Sequence, residues 1–397
     1  MRLPRTSAWR RFLLTGRERP SLDQIPTILQ QNRFGGDSAE GFGSKHRVES
    51  RSGWVSFDNL LDRDLTAGKV IHSGRVFFGL RIDRKRVPAN VARARVDLEV
   101  REQMAATGRD RLSRKELAEI KEGVQDELLA QTPASSVHIP VVWNVDRDTL
   151  YFFSNAESAA LELRAAFRSS FGVDLTVVDA RTLVRHLGSS SWATGLEHLG
   201  HSRFDSGAKD SGSSFEEEFQ GGTDDFTSSR ILGREFLTWL WLESEERPEK
   251  VGLVLAESID LDDDAVDEMR TGLRRGFPSQ SLEARAALLA GKKVASARWI
   301  LAREDREWNF TLKGQSLALS GVRLPRGETS DPHERLDYWL DSVEGLSAAL
   351  DELYRDFLSE RLSGAWKARE REIRDWVVRG RSLFADSIPK KRVPVEV

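Results

Sequence analysis

Residues 73–97 read SGRVFFGLRIDRKRVPANVARARVD, and this stretch decides the fold. Val76-Phe77-Phe78 is an apolar run that predicts a buried strand. Directly after it come Arg81, Arg84, Lys85 and Arg86, with Arg93 and Arg95 a few residues on. Pro88 suits the first turn of a helix, where its missing N–H costs nothing. That helix is expected to run to about Thr107, with Val91, Val96, Val100 and Met104 as partial apolar markers. GRDRLSR (108–114) breaks it. A second helix begins at Ser113, where Glu116 three residues later completes a capping box. Its apolar positions Leu117, Ile120, Val124 and Leu128 form one narrow stripe. Two charged helices with so thin a stripe predict an antiparallel helical arm, about 89–130, projecting from a sheet.

Working outward, SVHIPVVWNVDRDTLYFFS (136–154) alternates at Val137, Ile139, Val141 and Trp143, turns at Asp146-Arg147-Asp148 and returns through Leu150 to Phe153. This is a β-hairpin signature. A helix capped by Ser154 or Asn155 and ended by Gly172 follows, then the strand VDLTVVDA. The order strand, arm, hairpin, helix, strand predicts an α+β fold with mixed antiparallel sheets, not a doubly wound one. The expected organisation is an N-terminal α+β domain with the arm (1–183), a Ser/Gly/acid-rich flexible insertion (184–230), a C-terminal α+β domain (231–362) and a charged helical extension and tail (363–397). The insertion rests on composition, as in HSRFDSGAKDSGSSFEEEFQGGTDDFTSS (201–229). In the C-terminal domain, LGREFLTWLWLESEE predicts a tryptophan-rich helix and VGLVLAESIDL a strand. KKVASARWILARE and REWNFTLKGQSLALSGVRL predict two or three antiparallel strands. A long C-terminal amphipathic helix carries Leu336, Trp339, Leu340, Val343, Leu350, Leu353 and Phe357 on one side.

The chain has 397 residues and a formal charge of −3, but the charge is unevenly placed. Residues 1–100 hold 19 Lys and Arg against 11 Asp and Glu, a net of +8, and the other 297 residues carry a net of −11. Such a split offers one face to a polyanion while the remainder stays solvated. It equally describes a basic domain paired with an acidic one. Without cysteine, disulfides and thiolate chemistry are excluded. No run approaches the roughly 18 apolar residues of a membrane span. The apolar run Phe12-Leu13-Leu14 is short for a signal peptide, so the N-terminus is expected to be the start of the fold.

Enzyme signatures are sparse. His198 and His201 stand at i, i+3 with no third ligand nearby in sequence, and no metal or cofactor is expected. There is no P-loop and no G-x-S-x-G elbow. DLDDDAVDE places Asp260, Asp262, Asp263 and Asp264 where they could hold magnesium. Glu307 and Lys313 loosely echo an acid-x-Lys nuclease strand at the wrong spacing. The competing reading makes the aspartates the acidic first turn of a helix over 262–273, where they complement its dipole.

The basic positions are the stronger signal. Arg81, Arg84, Lys85, Arg86 and Arg93, then Arg111, Arg114 and Lys115 at the meeting of the two arm helices, and Lys292 and Lys293 at the start of a strand, are the candidate nucleic-acid contacts. Arginine offers planar donors to phosphate and lysine offers charge. Few aromatics interleave with them, so a duplex backbone fits better than stacked single strands. An ordinary solvated helix face with local Glu partners is the alternative.

The sequence resembles the RdgC family of bacterial recombination-associated proteins. The resemblance is carried by RFLLTG (11–16), GWVSF (53–57), AGKVIHSGRVFFGLRIDRKRVPANVARARVDLEV, the paired arm helices and IPVVWNVDRDTLYFFS. It resumes in AGKKVASARWILAREDREWNFTLKGQSLALSGVRL and RLDYWLDSVEGLSAALDELYRDFL. It implies a non-enzymatic, ring-shaped homodimer that encircles double-stranded DNA without sequence preference and restrains RecA-driven strand exchange, cytoplasmic and nucleoid-associated. It further implies that Arg81, Arg84, Lys85, Arg111 and Lys292 line the ring, closed by the arm and the long C-terminal helix. The chain departs from the family in the 188–229 insertion and the extension after Leu362. It carries Ser258 and Ile259 where the family can have basic or amide residues, and Ala134 where an aromatic can sit, taken as the arm tip. A metal-dependent nuclease and a protein-interaction module of a recombination assembly are the alternatives.

Overall fold

The computed structural model describes residues 3, 6–16, 19–36, 49–188, 190–197, 199–204, 225–262, 271–274, 276, 278, 281–327 and 329–385. In chain order the elements are β1 (Thr6–Thr15), α1 (Ile25–Gln31), β2 (Glu49–Val55), α2 (Ala67–Val70), β3 (Ile71–His72), β4 (Arg75–Lys85), α3 (Ala89–Thr107), α4 (Arg114–Gln131), β5 (Ser135–Asn144), β6 (Thr149–Phe152), α5 (Glu157–Phe171) and β7 (Asp174–Val177). They continue with α6 (Ala180–Leu187), α7 (Ser190–Glu197), α8 (Asp225–Glu246), α9 (Pro248–Val251), β8 (Leu253–Asp262), β9 (Thr271–Leu273), α10 (Leu282–Leu289), β10 (Lys293–Arg303), β11 (Arg306–Lys313), β12 (Leu319–Arg323), α11 (Pro332–Arg361) and α12 (Trp366–Ala385). The fold is α+β with antiparallel strand pairing. Among the described residues no helix is long and apolar enough to cross a membrane.

The chain forms two compact units. Leu14–Leu175 is the arm-bearing unit; Met1–Leu13 joins Thr176–Val397 in a tryptophan-rich unit. The sequence-based division at residue 183 is thus drawn differently here: the first strand leaves the N-terminal region to join the later one.

In the arm-bearing unit, β4 is the central strand between β2 and β5, with β3 on β4 and β6 on β5. Residues Val76 to Leu80 are buried, because side chains alternate across a sheet covered on both sides. On one face Trp54 and Trp143 pack against Phe171, which extends from α5. On the other, Phe57 stands edge-on to Phe77 at 5.3 Å. Beyond Leu80 only Ile82 of β4 is still buried, and the strand runs out into charge. The arm follows as α3 and α4. Ser113 caps α4, and Glu116 bonds back to the Ser113 N–H at 2.8 Å. α3 buries no residue and α4 buries only Val124, so the arm leans on helix propensity and mutual pairing rather than on the core.

In the tryptophan-rich unit the strand order is β1-β12-β11-β10-β8-β9. Its inner face, with Trp299, Leu301, Trp308, Phe310, Leu312 and Val322, is buried. Phe236 and Tyr354, from α8 and α11, meet edge-on at 4.8 Å. Gly233 of α8 lies so close to Gly314 that a Cβ there would sit 2.2 Å from the Gly314 carbonyl carbon. A buried carboxylate ties four segments together: Glu235 accepts from Arg361 Nε at 2.5 Å, Lys293 Nζ at 3.3 Å and the Ser202 N–H at 2.9 Å.

Three expectations change. The insertion is partly folded: α7 is helical, and Leu199, Ser202 and Phe204 are buried, because Ser202 and Phe204 pack onto the Glu235–Lys293 pair. The remainder, 205–224, lies outside the described residues. The expected helix over 262–273 is absent where the chain is described. Thr271–Leu273 is instead a strand paired with Ile259–Leu261, since an edge position on β8 offers backbone partners. The C-terminal extension is an integral helix, α12, burying Trp366, Ile373, Trp376 and Val377.

Candidate nucleic-acid interface

The run from Arg81 to Arg86 does not converge on one surface. In the β2–β4–β5 register Gly53, Arg81 and His138 are directly opposite one another, as are Ser50, Arg84 and Ser135. Odd and even positions of a strand face opposite ways, so Arg81 and Arg84 lie on opposite faces. Arg81 makes a two-pronged bond to Asp83, with Nε at 2.8 Å and Nη2 at 2.7 Å. It also donates to the Leu60 carbonyl at 3.3 Å and lies 4.1 Å from the Phe34 ring centre. Burial pushes the Asp83 carboxyl up, but hydrogen bonds from Arg81 and Ser136 and the fields of Arg81 and Arg51 outweigh it and hold the pKa below the ordinary value. Arg81 is therefore a structural ion pair.

Arg84 reaches α5, with Nη2 3.6 Å from Glu162 and Nη1 3.4 Å from Ser158 Oγ. Lys85 donates to the Leu129 carbonyl at 3.3 Å, in the last turn of α4. There the helix presents carbonyls and the negative end of its dipole. Arg86 alone of this run is exposed.

On the arm, Arg93, Arg111, Arg114 and Lys115 are exposed. Lys115 has Glu119 at 3.9 Å, and Arg95 sits between Glu99 and Glu127 at 3.6 and 3.5 Å. Arg111, Arg114 and Lys115 gather at the arm tip. α3 has 19 residues, which separates the tip from Arg86 by about 28 Å at 1.5 Å per residue. Residues 89–131 contain eight basic and nine acidic side chains, so the arm as a whole is not positively charged. Ala134, taken as an arm-tip position, lies after α4 at the arm's base, beside β5.

In the tryptophan-rich unit, Lys292 Nζ donates to Thr271 Oγ1 at 2.8 Å. Lys293 is buried against Glu235 and does not face solvent, a correction forced by the inward pattern at the start of β10. The long helix α11 spends its apolar side on the core of its own unit, with Leu336, Trp339, Leu350 and Phe357 buried. Three further cations, Arg298, Lys313 and Arg323, stand on the outward face of β10–β12. Sequence reasoning passed over Arg298 and Arg323; the alternation Glu307, Asn309, Thr311, Lys313 was the available signal.

For metal chemistry, Asp260 accepts from Ser296 Oγ at 2.8 Å and Asp262 pairs with Arg234 at 2.7 Å. Asp263 and Asp264, like His198, lie outside the described residues. Among the described residues no group of three His, Asp or Glu side chains is arranged to hold a metal ion.

Residues 19–186 match the family model described as "RdgC: Putative exonuclease, RdgC". That segment is similar to the RdgC family. The RdgC match spans nearly all of the arm-bearing unit, including Arg81 to Arg86 and the arm tip, and stops before α8 and the outward sheet face. No curated protein matches the chain.

Proposed function

We propose that this protein binds double-stranded DNA through its phosphate backbone, without catalysis, and modulates RecA-type recombination as a ring-forming homodimer. The family match supports a recombination-associated, DNA-related role. The observation that carries the reading is the set of exposed arginines, Arg86, Arg93, Arg111 and Arg114, on a unit where Arg81 and Lys85 are bound internally. Guanidinium groups in water are suited to phosphate contacts, which give affinity without sequence reading. The ring, the dimer and the action on a recombinase rest on the family resemblance.

The test is a mobility shift on linear and closed-circular duplex over a salt series. Replacing Arg86, Arg111 and Arg114 by Gln should lower the slope of log K against log salt by about 2–3 units, near 0.9 for each lost contact. An unchanged slope removes these residues from the interface. Preference for linear DNA supports a closed ring.

The family description also names an exonuclease. Asp262 Oδ1 is buried without a hydrogen-bond partner among the described residues, which keeps a carboxylate site open to test. Degradation of linear duplex in magnesium that disappears in Asp262→Asn selects that reading.

A further inference from the structure

The two stretches in which the chain departs from the RdgC pattern meet in space. Trp366 Nε1, at the start of α12, donates to Ser202 Oγ at 2.7 Å, and the Arg203 N–H donates to Glu370 at 2.7 Å. From there α12 lies against α8, α10 and α11. Trp366 stands edge-on to Phe357 of α11 at 5.8 Å and Trp376 edge-on to Trp241 of α8 at 5.3 Å, while Arg285 of α10 stacks on Trp376 at 4.4 Å. Arg369 is buried among carboxylates. It is ion-paired to Glu243 of α8, has Nε 3.0 Å from Glu360 of α11, and donates from Nη1 to Glu372 of its own helix at 2.5 Å. Glu243 is fully buried, with Arg247 Nη1 3.6 Å away, and Trp239 Nε1 fixes Glu360 at 3.0 Å. Further along, Glu245 accepts from Trp376 Nε1 at 2.8 Å and Glu246 from Arg379 at 2.8 Å.

We propose that this socket on α8, α10 and α11 is a helix-docking site that α12 fills in cis, and that a basic amphipathic helix of a partner protein takes it over by displacing α12. The inference does not depend on the DNA reading, since every residue it uses lies in the tryptophan-rich unit. Charge complementarity names the occupant. Residues 366–385 hold six Lys and Arg against three Asp and Glu, and they face Glu243, Glu245, Glu246 and Glu360. The socket reads Trp366, Arg369, Ile373 and Trp376, spaced i, i+3, i+7 and i+10, which is one face of a helix laid in a groove.

Two features make the resident exchangeable. First, its hold is local. Its buried apolar residues, among those described, are Trp366, Ile373, Trp376 and Val377, whereas α11 buries side chains along its whole length from Leu336 to Arg361. Only Ser363-Gly364-Ala365 joins the two helices, with nothing within 4 Å of where a Gly364 Cβ would be. A segment with few buried contacts opens at lower free energy than the core it rests on. Second, the socket does not rest empty. Without Arg369 the buried Glu243 is poorly compensated, so a helix that brings an arginine to the same place is favoured over water.

The experiment uses the full chain and a dye-labelled peptide with the sequence of residues 363–385 as the probe. In the wild type, α12 amides should exchange together and roughly tenfold or more faster than those of α11. Arg369→Gln should speed α12 exchange by about another tenfold, leave α11 protected, and bind the peptide roughly tenfold tighter than the wild type does, because the resident competes less. A peptide carrying Gln in place of that arginine, or a chain that also carries Glu243→Gln, should lose this binding. Ile373→Ala loosens α12 without touching the ion pairs and should open the socket in the same way. If both variants lose α12 and α11 protection in one step, or if α12 opens and no chain captures the peptide, the docking site is overturned. Recovery of α12 protection on mixing Arg369→Gln with Glu243→Gln chains would assign the socket to a second copy and overturn the partner helix.

Discussion

Arg81 and Arg84 lie three residues apart on β4, yet one guanidinium is locked to Asp83 beneath Phe34 and the other reaches α5 across the opposite face. Arg81→Gln should therefore lower unfolding stability by about 2 kcal/mol, since it removes two charge-assisted bonds and leaves Asp83 poorly compensated. Arg86→Gln, at an exposed position just past the end of β4, should change stability by less than about 0.5 kcal/mol while weakening DNA binding. Urea titration of the two variants separates the structural arginine from the ligand-facing one. Equal losses of stability would contradict this division.

Lys85 ties the end of α4 to the strand from which α3 departs. Lys85→Met keeps the aliphatic stem but removes the donor, and should raise amide exchange in the last turn of α4 roughly fivefold, for a bond worth about 1 kcal/mol. Lys85→Arg should restore protection. If Lys85 contacts phosphate instead, the methionine variant will reduce the salt slope and leave exchange untouched.

Glu235 is fully buried between Arg361 and Lys293. Burial alone pushes its pKa up, but the two cations and the Ser202 N–H outweigh this and hold it below the ordinary value of 4.5. Its folded pKa is thus depressed, so its contribution is complete above the unfolded pKa and fades as pH falls below about 4.5. Glu235→Gln should cost roughly 3–5 kcal/mol at neutral pH, because two buried cations lose their partner. Melting curves from pH 7 to pH 3 should show the gap between wild type and variant narrowing on the acid side; a constant gap would remove the ionic explanation.

Two glycines give opposite expectations. Gly233→Ala drives a Cβ into the Gly314 backbone and should destabilise the tryptophan-rich unit by ~1–3 kcal/mol or more. Gly123 sits inside α4 with open space for 4 Å around the point an alanine Cβ would occupy. Gly123→Ala should therefore stiffen the arm by about 0.8 kcal/mol, near a fourfold slowing of local exchange. Amide exchange of the arm checks the second and thermal melting the first.

Local chemistry made much of this legible from sequence. The Ser113–Glu116 box, the Val137–Phe153 hairpin and the strand through Val76 follow from spacing and turn residues, and the structure places each as expected. What failed was information held in partners far along the chain. Nothing near Lys293 announces Glu235, 58 positions earlier, and nothing near Arg81 announces Phe34. The face to which each cation points depends on register, which turns over with a one-residue slip. Composition also misread residues 199–204: a Ser-rich stretch looks unfolded unless the carboxylate that receives Ser202 is known.

The first strand has a temporal consequence. Trp9 of β1 pairs with Leu319 of β12, while the intervening Leu14–Leu175 forms a compact unit of its own. On a ribosome adding ~5–20 residues per second, β1 pairs with β7 early but waits roughly 15–60 s for β12, and the arm-bearing unit can fold meanwhile. Until then the β12 side of β1 is an open sheet edge. That interval, rather than the finished structure, is where self-association during synthesis is to be expected.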